Sequence, residues 1–433
     1  MNSKFKFVNH SCCILTNNKK SLVMDPWIEG SVFNNSWNLL VKTTEKSIQN
    51  IKDSNCIWFS HEHPDHFNPP NIKLFGKDKE YLFQKTKDKR VLNFLKRFSS
   101  YVHELNSNET FELNNDFTIK VIPFQDLDSF CIIKIGDKTI LNLNDCDIKS
   151  KKELIEIQKY SGKIDILMAQ FSYAIGKSNK DDTQIRKNLS NKILENLNYT
   201  ISFLKPSYVI PFASFCYFSR YDNFYLNDSA NKIDYSINFL KEKNPDITFL
   251  CFYPGDVWDL NSAWNNNTSI NKYKSDYNNI SPISIETKKY DLNILKKVSI
   301  EFINQTNLKN NMFKFYDFFN YNYHSIYFKL TDIDLNLCFD FKNGLYQVKK
   351  IDNNLQYCEL ASDSLYQLFS SGYGYDALMI GGRFEANKYG IKCLNKIFKF
   401  QTKNYQNQYY NLKDIISKLI KKILKSSRVN LSR

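Results

Sequence analysis

Three of the chain's six histidines stand within one six-residue stretch, His61-Glu62-His63-Pro64-Asp65-His66. Cys56-Ile57-Trp58-Phe59 runs into it, a short apolar segment that reads as a buried strand. A fold that hosts this stretch has to gather imidazoles and carboxylates at a strand end, where core packing has no use for them. Neutral imidazole and carboxylate are good ligands for first-row divalent metals. His61, His63, Asp65 and His66 are therefore candidate ligands for one or two divalent ions, zinc or iron.

The chain around this loop alternates strand and helix signals. Residues 4–16 and 20–25 read as two strands joined by Asn17-Asn18-Lys19, and Pro26 stops the second with Asp25 at its carboxyl end. A short helix is predicted over 44–52. Residues 101–144 are nearly all β in pattern, closing on Asn144-Asp145-Cys146-Asp147. Helices over 150–160, 182–204 and 228–243 then alternate with buried strands at 164–170, 208–212 and 247–252. Strand runs with interspersed helices, in two successive halves, predict an α/β fold of two mixed sheets with helices outside.

At 433 residues and 42% hydrophobic content the chain suits two domains with real cores. Residues 1–260 read as the catalytic domain and 261–290, rich in Asn, Ser and Lys, as a linker. Residues 291–405 read as an α+β domain and 406–433 as a basic amphipathic helical tail. In that tail Leu412, Ile415, Ile416, Leu419, Ile420, Ile423 and Leu424 form one apolar stripe with lysines largely off it. It suits a helix docked on protein, or a peripheral membrane contact through 412–425. The net charge of +14 is compatible with nucleic acid and equally with a polar, anionic small-molecule substrate or an anionic lipid surface. Lysine is used heavily throughout, so nucleic acid is not expected. The 10 cysteines are scattered, as buried thiols in a reducing compartment are. The first residues run directly into a strand pattern, no signal peptide is expected, and a cytoplasmic location follows as an expectation.

An H-x-H-x-D-H loop after a strand resembles the signature of the metallo-β-lactamase fold. The resemblance implies a four-layer αββα sandwich, with a C-terminal α+β domain here added to it. By that pattern His61 and His63 serve one metal, Asp65 and His66 the other, and Asp145 is the bridging carboxylate. Two later histidines of the pattern are missing. Ile122-Pro123-Phe124-Gln125-Asp126-Leu127-Asp128-Ser129 stands where the first is expected, and Ile210 to Phe218 where the second is. Asp128, Gln125 or water then has to complete the shell, and a shell of histidine and carboxylate also fits iron.

Asp25-Pro26-Trp27, the histidine loop, Asp128-Ser129, Asn144-Asp145-Cys146 and Pro211-Phe212-Ala213-Ser214-Phe215 together look like the metallo-β-lactamase-like part of the CMP-N-acetylneuraminate hydroxylase family. That family carries a Rieske domain, which needs Cys-x-His pairs. None occurs in this chain, so oxidation here implies an external electron-donor protein. The resemblance also places His10 and Asp25 near the metal, and Tyr217, Arg220 and Tyr221 are candidates for substrate binding. Ser362-Asp363-Ser364 to Gly372, followed by Ile380-Gly381-Gly382-Arg383, is similar to the sterol-carrier-protein-2-like fold.

Three functions follow. The first is a hydrolase acting on a polar metabolite such as a sugar or nucleotide-sugar, with Asp65 or Asp145 orienting metal-activated water. The second is an iron-dependent hydroxylase, and the third a degenerate fold that binds without chemistry.

Overall fold

Apolar residues in the N-terminal strands point both ways. Leu22, Met24, Cys56, Trp58 and Leu82 enter one buried cluster, while Val23, Ile57, Phe59, Tyr81 and Phe83 enter another. Side chains alternate along a strand, so these strands are apolar on both faces and have to be covered on both. The computed structural model describes residues 3–125, 127–176, 179–310, 325–352, 354–412 and 416. Its chain divides into two units, Met1–Ala174 with Asp182–Ile283, and Ile175–Asp181 with Ser284–Arg433.

The strands of the first unit are β1 (Ser3–Asn9), β2 (Cys12–Asn17), β3 (Lys20–Met24), β4 (Trp37–Leu39), β5 (Cys56–Phe59), β6 (Glu80–Gln84), β7 (Val102–Leu105), β8 (Thr110–Asn114), β9 (Phe117–Phe124), β10 (Asp128–Ile135), β11 (Lys138–Asn144), β12 (Ile166–Gln170), β13 (Tyr208–Phe212), β14 (Cys216–Phe218), β15 (Thr248–Phe249) and β16 (Val257–Trp258). One seven-stranded sheet runs β16-β1-β2-β3-β5-β6-β7 and a second β15-β13-β12-β11-β10-β9-β8, with β14 and β4 as a separate ribbon. Helices α1 (Glu45–Lys52), α2 (Pro69–Ile72) and α3 (Arg90–Leu95) cover the first sheet through Ile51, Ile72, Val91 and Leu95. Helices α4 (Lys151–Ser161), α5 (Thr183–Leu204) and α6 (Ile233–Lys243) add Leu154, Ile157, Leu194, Ile201, Ile237 and Leu240 to the core of the second. This is the αββα sandwich.

Strand directions place the chemistry. β3 and β5 are parallel, and β1 is antiparallel to β2, which is antiparallel to β3. The carboxyl ends of β1, β3 and β5 therefore share one rim. By the same reasoning β9, β11 and β13 end together, beside the start of β10. Side-chain bonds tie the two rims: Asn144 Nδ2 donates to Asp25 Oδ2 at 2.9 Å, and the Ser129 hydroxyl donates to the Ser60 carbonyl.

Three sequence expectations need correction. Residues 4–16 are two strands, broken at His10-Ser11, where the pairing slips from Phe7↔Cys13 to Asn9↔Cys12. Residues 261–290 are not all linker: they contain α7 (Asn267–Asn279), whose Tyr273 is fully buried and donates its hydroxyl to the Phe252 carbonyl at 2.9 Å. The first unit extends to Ile283, and Ile175–Asp181 belongs to the second. There Asn179 exchanges two 2.9 Å bonds with the backbone of Ala386.

The second unit has α8 (Leu292–Lys309), β17 (Ser325–Leu330), β18 (Asn336–Asp340), β19 (Gly344–Gln347), β20 (Tyr357–Leu360), α9 (Ser362–Ser370), α10 (Gly374–Gly381), β21 (Glu385–Ala386) and α11 (Lys388–Tyr405). The sheet order is β19-β18-β17-β20-β21. Phe302, Phe339, Phe369 and Phe398 form its aromatic centre, with ring centroids 4.9–6.2 Å apart. The predicted tail helix falls, beyond Leu412 and Ile416, outside the described residues. No described helix is long and apolar enough to cross a membrane.

Candidate metal centre

β5 ends at Phe59 and the chain turns over Ser60 into the histidine loop. Asp25, directly after β3, holds that turn. Its Oδ1 accepts the Ser60 amide and its Oδ2 the Ser60 hydroxyl, both at 2.7 Å. The same Oδ2 faces Nδ1 of His66 at 3.0 Å. With Nδ1 donating to a carboxylate, Nε2 of His66 turns the other way, a nitrogen that can bind a metal once it gives up its proton. Ser60 does the same for His61: its proton goes to Asp25, so its oxygen accepts Nδ1–H of His61 at 2.9 Å.

The freed nitrogens converge. His61 Nε2 lies 2.9 Å from Nδ1 of His63 and 4.0 Å from carboxylate oxygens of both Asp128 and Asp145. His66 Nε2 lies 3.2 Å from Asp145 Oδ2 and 3.5 Å from Asp65 Oδ2. His10 Nε2 lies 3.5 Å from that same Asp65 oxygen. His61, His66 and Asp145 form one set with donor atoms within 4.8 Å of one another, and His10, Asp65 and His66 form a second.

Charge is concentrated and poorly compensated. Burial alone would lower the His66 imidazole, but Asp145, Asp65 and Asp25 outweigh it and raise it well above its usual range. Burial, then His66 and His63, push His61 well down. Burial would raise Asp65, but His66 and His10 outweigh it and pull it to about 2. Asp128 goes the other way, pushed up to about 6 by burial against the pull of His63. A cluster this acidic favours a bound cation.

The donor atoms fit a metal on a further observation. His10 Nδ1 and Nε2, Asp65 Oδ1, His66 Nε2 and Asp145 Oδ1 are all buried without a hydrogen bond. Buried polar atoms are nearly always paired, so orphans on four residues of the two donor sets call for a ligand that the chain does not supply. Backbone strain gathers here too. His10, Asp25, Gln125, Asn144 and Ala213, all at strand ends of the rim, have φ of +41, +40, +53, +45 and +49°. Such conformations cost about 1–3 kcal/mol each and persist where the surroundings over-determine them.

Burial orders the site from floor to mouth. Asp25 and His66 are fully buried and His10 and Asp65 nearly so, whereas the Asp128 and Asp145 side chains are each 25% exposed. His63 is half-buried, with Phe33 edge-on at 5.8 Å. Of the two candidates near the first missing histidine, Asp128 enters the cluster, while Gln125 is exposed. Where the second was expected, Ser214 Oγ accepts the amides of Phe171 and Ser172 at 3.2 Å. Arg220 is buried and donates to the Ile283 carbonyl at 3.3 Å, so it is engaged in packing the first unit. Tyr221 is 73% exposed, and Tyr217 is half-buried on β14. Burial, Asp128 and Asp145 push the Cys146 thiol up, which suits an inert buried cysteine. The orienting roles of Ser60 and Asn144 escape a reading of the sequence. Their one signal is position, each directly preceding a candidate ligand.

The beta-lactamase superfamily domain matches residues 4–213, the stretch that carries every element of this rim. Residues 4–213 carry the metallo-β-lactamase fold. Cytidine monophosphate-N-acetylneuraminic acid hydroxylase of Mus musculus is 24% identical over 273 residues, 59% of this chain and 46% of the mouse protein. The chain spans about half the length of the curated relatives it matches. Among solved structures, CmlA, a diiron β-hydroxylase from Streptomyces venezuelae, is similar at a TM-score of 0.43 and 13% identity over 59% of this chain and 54% of that one. A possible metal-dependent hydrolase from Veillonella parvula is similar at a TM-score of 0.44 and 12% identity, covering 60% of this chain and all of that one.

Proposed function

We propose that the first unit is a metal-dependent enzyme that oxidises a polar, anionic metabolite at an iron centre held by His61, His63, Asp65, His66, Asp128 and Asp145. The observation that carries this reading is Asp128. A carboxylate stands 4.0 Å from His61, where the family pattern has a histidine. The exchange makes the shell harder and richer in oxygen, which suits iron better than zinc. The hydroxylases among the relatives support the same choice, and it reverses the order reached from sequence, where hydrolysis came first. When bound, the metal supplies dioxygen activation as iron, or Lewis acidity for hydrolysis.

The protein's own part is orientation and proton placement. Asp25 and Ser60 keep His66 and His61 in the tautomers that face the site. Asp128 and Asp145, at the mouth, would meet the substrate first. No Cys-x-His pair occurs within residues 1–433, so the electrons would have to reach the iron from outside this stretch. The excess of lysine over acidic residues suits a nucleotide-sugar or similar anion.

Hydrolysis is the second reading. It draws on Asp145, whose Oδ2 lies 3.2 Å from His66 and 4.0 Å from His61, a position from which it would orient attacking water. Metal analysis of anaerobically purified protein, with oxygen uptake on a panel of sugar nucleotides and a chemical reductant, separates the two. Bound iron with substrate-dependent uptake and a product heavier by one oxygen is expected. Bound zinc with cleavage of esters, lactones or amides would overturn oxidation in favour of hydrolysis. No metal at all would leave only a non-catalytic binding protein.

A further inference from the structure

We infer that His10 is itself a metal ligand, completing with Asp65 and His66 a second metal position next to the one at His61, His63 and Asp128. This deepens the proposed function and rests on reading the cluster as a metal centre.

Residue 10 is satisfied everywhere except at its ring. Its amide donates to Asn9 Oδ1 at 3.0 Å, and its carbonyl accepts the amide of Ala213 at 3.1 Å. Asn9 is clamped in turn, its Nδ2 donating to the Val41 carbonyl at 2.7 Å and to Thr43 Oγ1 at 3.0 Å. The imidazole is 1% exposed; Nδ1 has no partner, and Nε2 meets only Asp65 Oδ2, at 3.5 Å, too long for a well-formed hydrogen bond. A buried histidine kept for packing normally pairs at least one nitrogen, because an orphaned ring leaves its desolvation uncompensated. This one is wedged edge-on between Trp27 at 5.4 Å and His66 at 5.9 Å. Nε2 is thereby directed at Asp65 Oδ2, 3.5 Å away, the oxygen that His66 Nε2 also faces at 3.5 Å.

The backbone pays for this placement, since φ of +41° is unfavourable for histidine. An apolar residue would fill the space beside Trp27, and asparagine would suit the turn better. What histidine adds is a nitrogen lone pair aimed at a carboxylate and a second imidazole. The family resemblance sets His10 near the metal, but only the structure gives its ring the aim of a ligand. The ligand arrives from the β1–β2 turn, and the bond from Ala213 fastens that turn to the end of β13, where the chain itself carries no metal-binding side chain.

Titration of the metal-free full-length chain with cobalt(II), followed by calorimetry and by visible absorption, tests this. Wild type should take up two ions per chain, and His10→Asn, which fits the left-handed turn, should take up one. The absorption of the lost ion should vanish while that of the other stays. His10→Gln, which keeps the bulk, should behave likewise, so a folding failure of one variant leaves the other decisive. Circular dichroism of the metal-free proteins checks the fold. If both variants bind as many ions as wild type with affinities within threefold, His10 is not a ligand, although the metal centre stands. If wild type binds no cobalt, or binds it with an affinity that His61→Ala leaves unchanged, the metal-centre reading fails and this inference with it.

Discussion

Two buried charge clusters in this protein are built on opposite terms. In the second unit Arg383 and Asp363 are buried and meet side by side, Nη1 to Oδ2 at 2.8 Å and Nη2 to Oδ1 at 3.1 Å. Each charge is answered by the other, in the fork geometry that arginine and carboxylate share. In the first unit Asp25, Asp65, His10 and His66 are as deeply buried, yet His10, Asp65 and His66 keep atoms with no hydrogen-bond partner. One cluster is closed by the chain alone. The other is left open toward a point in space, as a site for a cation is. Deep burial of charge is common to both and so says little about function. Whether the chain itself pairs the charge separates structure from site.

The largest effect that would break the contrast lies in the closed cluster. Arg383→Met should destabilise the second unit by about 3–5 kcal/mol, because it strands a buried carboxylate. Chemical unfolding reads the loss, and metal content should not change. Replacing both partners, Asp363→Leu with Arg383→Met, should recover most of it. If the single variant costs nothing, the pair is not closed as described.

A smaller effect is expected at the open cluster. Asp25→Ala removes the acceptor that orients His66 without touching a candidate ligand. Metal affinity should fall about 10–100-fold, as is usual for the partner of a ligating histidine. Competition against a chelating dye measures it, and an unchanged affinity would mean that His66 needs no such partner.

The smallest effect is in pH dependence. In the folded metal-free protein Asp128 holds its proton up to about 6, above the ordinary value of 3.8. A raised carboxylate value favours the folded state at low pH and disfavours it as pH climbs through the interval from 3.8 to about 6. His66, also raised, loses its contribution in the same direction at higher pH. His61, held well down by burial and by His66 and His63, works the other way and gains stability as pH rises toward 6.5, so the contribution of Asp128 is read as a difference: the stability of wild type relative to Asp128→Asn should fall by on the order of 1 kcal/mol as pH rises from 4 to 6.5. Unfolding midpoints at several pH values, with chelator present, would show it. A slope identical in the variant would rule out Asp128 as its source.

Much of the first unit was legible in the sequence. His61 to His66 after an apolar strand, and Asp145 after another, mark the rim without any coordinates. The alternation of Leu22, Val23 and Met24, or of Ile57, Trp58 and Phe59, shows strands apolar on both faces. What stayed hidden were features made by register and by neighbours far along the chain. The break at His10-Ser11 lies inside a run that reads as one strand, because a slip in pairing leaves no mark on hydrophobic pattern. Helix α7 hides in a polar stretch whose inward positions, Ser269 and Tyr273, are too few to announce it. The choice between Asp128 and Gln125 turned on a turn geometry that composition does not encode.

By itself, then, the sequence determined which side chains could serve a metal and that two apolar-faced sheets would carry them. Local pattern suffices for that, since strand parity and ligand type are properties of short segments. Only the tertiary structure decided which of those side chains meet. Asp25 orients a histidine 41 positions later, Asn144 reaches across the two sheets, and His10 comes to Asp65 from the β1–β2 turn along the same rim. Such contacts depend on how strands from distant parts of the chain are aligned, and that alignment is set by the packing of the whole sandwich.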